Sequence, residues 1–219
     1  MVQQIDSRKN KKIKYPESDG KPMADNTEQF EWIVVIKENL ELLFAPAPDI
    51  FVAGDLLWYP VEGSLLCQAP DVMVVLGRPK GRRGSYKQWE EENIAPQVVF
   101  EILSPSNSLK EMAKKLKFYQ DYGVIEYYVY DPNKNDLAGW HRNNEILEVI
   151  EGINGWISPL LNIRFQMTDE TLEIYRQDGR RFLTFVELEQ RAIAAEQRAE
   201  IAEARIQELE AKLRELGQL

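Results

Sequence analysis

Between residues 97 and 130 the chain spells a strand, a capped helix and a second strand, and this unit limits the possible folds more than any other stretch. Gln97-Val98-Val99-Phe100-Glu101-Ile102-Leu103 and Glu126-Tyr127-Tyr128-Val129-Tyr130 are short apolar runs rich in β-branched and aromatic residues, which is the composition of strands. Between them, Ser108-Leu109-Lys110-Glu111 has the form of a capping box and Gly123 stands where a C-terminal glycine belongs. A helix is therefore expected from about Leu109 to Tyr122. At 100° per residue, Leu109, Met112, Ala113, Leu116 and Tyr119 share the face expected to pack on a sheet. A strand-helix-strand order implies a crossover, hence a mixed sheet with a parallel pair in its middle.

The rest of the chain adds strands to that core and a different kind of segment at its end. Residues 1–26 are polar, hold Pro16, Gly20 and Pro22, and read as an arm. From Thr27, Phe30, Ile33, Val34, Leu40 and Leu43 recur at helical spacing until Pro46 and Pro48. Ile50 to Ala53, Leu56 to Tyr59 and Asp71 to Leu76 read as further strands of the same sheet, with β-rich pieces near Ile146 to Ile150 and Leu172 to Tyr175. From Leu188 the pattern changes to heptads. Leu188, Ala195, Ala202, Leu209 and Leu216 alternate with Ala192, Ala199, Ile206 and Leu213, an a/d seam of four repeats. The expected organisation is an arm over 1–26, an α/β domain over 27–186 and a coiled-coil helix over 187–219. A single amphipathic helix folded back on its own domain is the alternative, since alanines at the seam bury little area.

With 219 residues the chain can build one ordinary core plus accessory segments. No apolar run approaches the ~18 residues that a spanning helix needs, and no secretory h-region follows the basic stretch Arg8 to Lys14. A cytoplasmic protein with no membrane partner is the expectation. Cys67 is the sole cysteine and His141 the sole histidine, which argues against a zinc site or a Ser-His-Asp triad. A net charge of −9 argues against non-specific coating of nucleic acid. Local binding is still open, because Arg78, Lys80, Arg82, Arg83 and Lys87 cluster between the two acids considered next. That loop is expected near the mouth of a site, contacting phosphates; the plainer alternative is a solvated loop.

Glu101 is an acid inside an apolar strand, on the same side as Val99 and Leu103, and its carboxylate is costly there unless it is paired, hydrogen-bonded or holding a cation. Asp71 opens an earlier strand. Two carboxylates brought together repel, and a hard divalent cation such as Mg²⁺ or Mn²⁺ relieves this while keeping several waters, one of which can become a nucleophile. Glu41, Asp55, Glu91 and Glu92 are further acids that fit equally well as surface charge. The five tryptophans suit packing better than base stacking. Asp131 before Pro132 suits a turn.

Asp71-Val72-Met73-Val74-Val75, Val99 to Ser106, Lys115-Leu116-Lys117-Phe118-Tyr119 and Gly123 to Pro132 together resemble the Uma-type endonucleases, a family abundant in cyanobacteria and placed in the PD-(D/E)xK superfamily. The resemblance runs from about Tyr15 to Glu187. It implies a restriction-endonuclease-like mixed sheet flanked by helices, a DNA substrate, and metal-binding carboxylates at Asp71 and Glu101 with the Ile102 carbonyl as a further ligand. The chain departs from the superfamily pattern at Leu103, where a lysine is wanted. In the Uma-type proteins that lysine comes from the following helix, and the matching position is Lys115. The helical wheel sets Lys115 beside Met112, Tyr119 and Tyr122 and turns Lys114 away. Asp71, Glu101 and Lys115 are thus the expected catalytic set; a snorkelling boundary lysine is the alternative for Lys115. Two functions stay open: a Mg²⁺-dependent endodeoxyribonuclease that dimerises through its coiled coil, and a nuclease fold without turnover that recruits partners.

Overall fold

The computed structural model describes residues 13–20 and 22–215, with the side chains at 213 and 215 left aside. Most of the basic stretch Arg8 to Lys14, and Leu216 of the heptads, lie outside the described residues. The chain divides into two compact units, one ending at Arg181 and the other beginning at Phe182.

The first unit opens with helix α1, Thr27–Leu43, whose N-cap Asn26 accepts from Gln29 N at 2.8 Å. It continues through strands β1 (Ile50–Gly54), β2 (Trp58–Tyr59), β3 (Val72–Leu76), β4 (Tyr86–Lys87) and β5 (Val98–Ile102) to helix α2 (Leu109–Asp121). Strands β6 (Glu126–Asp131), β7 (Asp136–Asn143), β8 (Ile146–Val149), β9 (Arg164–Met167) and β10 (Leu172–Tyr175) complete it. Six strands form one mixed sheet in the order β1-β3-β5-β6-β7-β8. Within it only β5 and β6 run parallel, with Val99 beside Tyr127 and Glu101 beside Val129, and α2 is their crossover. The expected helix and central parallel pair are both present.

The sheet is covered on both sides. Phe51, Met73, Val75, Val99, Tyr127 and Val129 pack with Phe118, Tyr119 and Trp58 on one face. On the other face α1 contacts β1, β3 and β5, and Phe165 packs on Phe100 and Tyr128. Every residue of β5 is buried, so its apolar run is accounted for by cover on both faces. Alternation along the strand then decides that Glu101 lies on the α2 side.

Two expectations fail here for physical reasons. Leu56 to Tyr59 does not join the main sheet; Trp58 and Tyr59 pair in parallel with Tyr86 and Lys87 as a separate two-stranded sheet. Trp58 is fully buried and packs its indole against Phe118, Tyr119 and Tyr122, so the segment is drawn to the aromatic face of α2. The packed stripe of α2 is also rotated from the expected face. Leu109 is 91% exposed and Ala113 is exposed, while Met112, Lys115, Leu116, Phe118, Tyr119 and Tyr122 turn inward. The described part of the arm is docked on this unit. Tyr15 packs its ring on Tyr59 and Trp89, its hydroxyl accepts from Gly63 N at 2.7 Å, and the Tyr59 hydroxyl donates to Pro16 O at 2.9 Å.

β7 is a strand that the sequence does not announce, and Gly139 in its middle explains why it pairs nonetheless. A Cβ there would lie 2.6 Å from Ile153 Cδ1 and 3.1 Å from a Tyr128 ring carbon, so the glycine suits a closely packed position where a side chain would push the Ile153 tip aside. The capping of α2 agrees with the sequence: Ser108 Oγ accepts from Glu111 N at 3.2 Å, and Gly123 adopts φ +91°. Ser108→Ala should lower the unfolding free energy by about 1 kcal/mol in urea titrations, since one first-turn N–H loses its acceptor.

The second unit is dominated by helix α3, Phe185–Glu215. Thr184 and Glu187 form a reciprocal capping box, with Glu187 Oε2 accepting from Thr184 N at 2.8 Å and Thr184 Oγ1 accepting from Glu187 N at 3.2 Å. Ile206 and Leu209, two of the larger seam residues, are 55% and 45% exposed in the single chain. Among the described residues no helix is long and apolar enough to cross a membrane.

Candidate active site

The site is built where β3 and β5 part. Their backbone ladder ends at the pair Val72 and Phe100, so Ile102 N finds no strand acceptor on that side. Asp71, just before β3, fills the gap: its Oδ2 accepts from Ile102 N at 2.6 Å. Glu101, the residue before Ile102 in β5, points to the α2 side. Lys115 Nζ donates to its Oε2 at 2.7 Å, and the Tyr119 hydroxyl donates to Oε1. Lys115 and Tyr119 are four residues apart, so consecutive turns of one helix face hold the two carboxylate oxygens. The sequence singles out Lys115, and the geometry brings it to Glu101.

These groups are deeply buried, with Asp71 8% and Glu101 2% exposed, and burial sets their proton affinities. Burial and the Glu101 charge hold the Asp71 carboxyl well above the usual carboxylate range, against the pull of Lys115 and Ile102 N–H. Burial also raises Glu101, although the Lys115 charge and the bonds from Lys115 and Tyr119 oppose it. For Lys115 burial works against the ammonium, but Glu101 and Asp71 outweigh it and keep the amine above its ordinary value. The triad thus couples a firmly charged lysine to two carboxyls whose ionisation is disfavoured, Asp71 most strongly.

A cleft of about 540 Å³ opens over Asp71 and Lys115. Its walls include Asp19, Met23 and Asp25 from the N-terminal segment, Gln29 of α1, Asp55 after β1, and Lys110 and Lys114 of α2. Of the four further acids, Asp55 alone belongs to this cleft. It sits at φ +47°, its N–H donates to Pro70 O and Asp71 O at 3.2 Å each, and burial and Asp19 raise its carboxyl. The other three do not line the cleft: Glu41 pairs with Lys37, and Glu91 and Glu92 pair with arginines. Lys114, although exposed, lines the cleft rather than turning away from it.

The basic loop is elsewhere. None of Arg78, Lys80, Arg82, Arg83 and Lys87 lines the Asp71 cleft, and four of them are engaged within the protein. Arg78 and Arg83 both bond Glu91, at 3.0 and 2.6 Å, and Arg83 stacks on the Phe51 ring. Lys80 donates to the carbonyls of Phe44 and Ala45 at the end of α1, and Lys87 lies 3.3 Å from Glu90. Only Arg82 is exposed without a described partner among the five.

Two residues of the site are not evident from the sequence. Tyr119 reads there as core alone, yet it carries one of the two bonds to Glu101. Gln29 Nε2 donates to Ile102 O at 2.9 Å, so the carbonyl expected as a metal ligand already has one lone pair engaged. A signal for Gln29 does exist: it falls in register with Ile33, Ile36 and Leu40 on the buried stripe of α1. A polar residue in that stripe needs a buried partner.

Among the described residues no cluster of three or more His, Cys, Asp or Glu side chains suits a metal. Asp71, Glu101 and Ile102 O offer hard oxygens, the donor type that Mg²⁺ or Mn²⁺ takes, although both Glu101 oxygens are bonded by Lys115 and Tyr119.

No curated protein matches the chain. Among solved structures it is similar to one titled as a putative nuclease belonging to DUF820 from Anabaena variabilis, at 17% identity and a TM-score of 0.49, over 65% of this chain and 77% of that one. A family model described as "Uma2: Putative restriction endonuclease" matches residues 3–170, well over half the sequence, and the chain belongs to that family.

Proposed function

We propose that the protein is a Mg²⁺- or Mn²⁺-dependent endonuclease that hydrolyses phosphodiester bonds in DNA at Asp71, Glu101 and Lys115. The observation that carries this reading is Lys115, a charged lysine from the neighbouring helix that lines one cleft together with the buried Asp71 and bonds the buried Glu101 behind it. A purely structural core has no need of such a set, since uncharged residues of similar size are often as stable or more so. Asp71 and Glu101 would hold the cation, with the free lone pair of Ile102 O beside them. The bound cation would lower the pKa of a water and neutralise phosphoryl charge. The protein's own residues do the rest. Asp71 and Glu101 orient the attacking water, whose oxygen bonds to phosphorus while the ester oxygen leaves with a proton. Lys115 stabilises the added negative charge on the phosphoryl oxygens.

Titration calorimetry with Mn²⁺ tests the site directly: the wild type should give a saturable heat that is lost in Glu101→Gln, and equal heats would refute it. One observation favours the second reading, a fold without turnover that binds partners. Both oxygens of Glu101 are already satisfied by Lys115 and Tyr119. That reading expects no Mn²⁺ heat from either protein.

The proposed assembly is a homodimer through α3, in the cytoplasm. The exposed seam residues Ile206 and Leu209 support it, because two copies would bury what one copy leaves in water. Deleting residues 203–219 should convert a dimer to a folded monomer by light scattering. A truncated protein that stays dimeric would place the interface elsewhere.

A further inference from the structure

We infer that Lys110 and Lys114 form the phosphate-binding edge of the Asp71 cleft and hold the sugar-phosphate backbone of a bound nucleic acid. The inference rests on the reading of this cleft as a DNA-hydrolysing site and adds the surface that receives the strand.

The charge of the cleft is divided between its walls. Asp19, Asp25, Asp55 and Asp71 stand on the N-terminal and β-sheet side, whereas Lys110, Lys114 and Lys115 stand on α2, with Glu111 the one acid among them. A polyanion is repelled by the first wall and attracted by the second, so the strand is directed onto α2. Lys115 is committed to Glu101, but among the described residues neither Lys110 nor Lys114 has a carboxylate partner, and both are exposed. They lie four residues apart, ~6 Å along the helix axis, on the rim of the same cleft. The first turn of α2 adds to their field, since a helix N-terminus favours negative charge. The basic loop offers no comparable edge, because Arg78 is paired with Glu91 and Glu92 and Arg83 with Glu91.

The test measures binding without cleavage, in an Asp71→Asn background in EDTA, by anisotropy of a fluorescein-labelled random-sequence duplex over a series of salt concentrations. Adding Lys110→Ala and Lys114→Ala should flatten the slope of log K against log salt by about 1.8, roughly 0.9 for each phosphate no longer neutralised. Adding Lys110→Arg and Lys114→Arg should keep the slope, and adding Arg82→Ala should leave it unchanged. Circular dichroism controls for folding, and alanine at two exposed helical positions is well tolerated. An unchanged slope in the double alanine protein, with duplex still bound, overturns the inference alone. Absence of salt-dependent binding in the parent overturns it as well. A flattened slope together with no cleavage by the wild type in Mn²⁺ keeps the lysine edge and removes the hydrolytic reading.

Discussion

Lys115→Met should lower the unfolding free energy by about 3–5 kcal/mol at neutral pH, the usual cost of removing one partner from a buried ion pair. Methionine preserves the unbranched stem, so the change isolates the ammonium rather than the packing. Glu101, 2% exposed, would keep its bond from Tyr119 but lose the charge that offsets its burial. The deficit has a pH signature. Without Lys115 the Glu101 carboxyl, already raised by burial, rises further, and protonation relieves the unpaired charge. The destabilisation should therefore shrink as the pH falls toward the acid range and be largest at pH 7 and above. Glu101→Gln in the same chain should restore part of the stability, giving a coupling energy in a double-mutant cycle. Urea titrations of the four proteins at two pH values measure all of this. A destabilisation unaffected by pH would mean that Lys115 contributes packing alone.

Asp71→Asn should act in the opposite direction on stability and remove hydrolysis. Asparagine keeps an oxygen to accept from Ile102 N while removing a charge that burial and Glu101 both oppose. With no carboxylate to desolvate in the pocket, the metal-free variant should be at least as stable as the wild type. The sign with pH follows from linkage. The folded-state value of Asp71 lies above the unfolded one, so its favourable share of stability is present below the ordinary carboxylate range. It is lost as the pH rises through the folded value. Metal-free wild type should thus lose stability over that rise, and Asp71→Asn should lose less. Added Mn²⁺ should raise the wild-type melting temperature and leave the variant's unchanged. A variant less stable than wild type in EDTA would show that the carboxylate is held for the fold.

The unit from residue 97 to 131 is legible in the sequence because each of its signals is local: two apolar runs, a serine cap and a glycine stop. The Asp131 turn, whose Oδ1 accepts from Asn133 N and Lys134 N, is local in the same way. What escapes a reading of the sequence is non-local. β7, with Gly139 and His141, looks too polar and too flexible for a strand, and only the partners on both sides, β6 and β8, make it one. The place of Lys115 can be read from a helical wheel and a resemblance, because one helix face decides it. The partners of the basic loop cannot, because Glu91 reaches Arg78 and Arg83 only through the folded turn between β4 and β5. The α2 face is misread for the same reason. Periodicity selects Leu109 and Ala113, but the aromatic cluster around Trp58 and the Glu101 contact turn the helix toward Tyr122 and Lys115.

Conversion of supercoiled plasmid by wild-type, Asp71→Asn and Glu101→Gln proteins, each with Mn²⁺ and with EDTA, tests the central claim most directly. The wild type should yield nicked or linear DNA only with Mn²⁺, and both variants should leave the plasmid supercoiled at matched concentration. Cleavage by Asp71→Asn equal to that of the wild type would contradict the assignment of hydrolysis to this site.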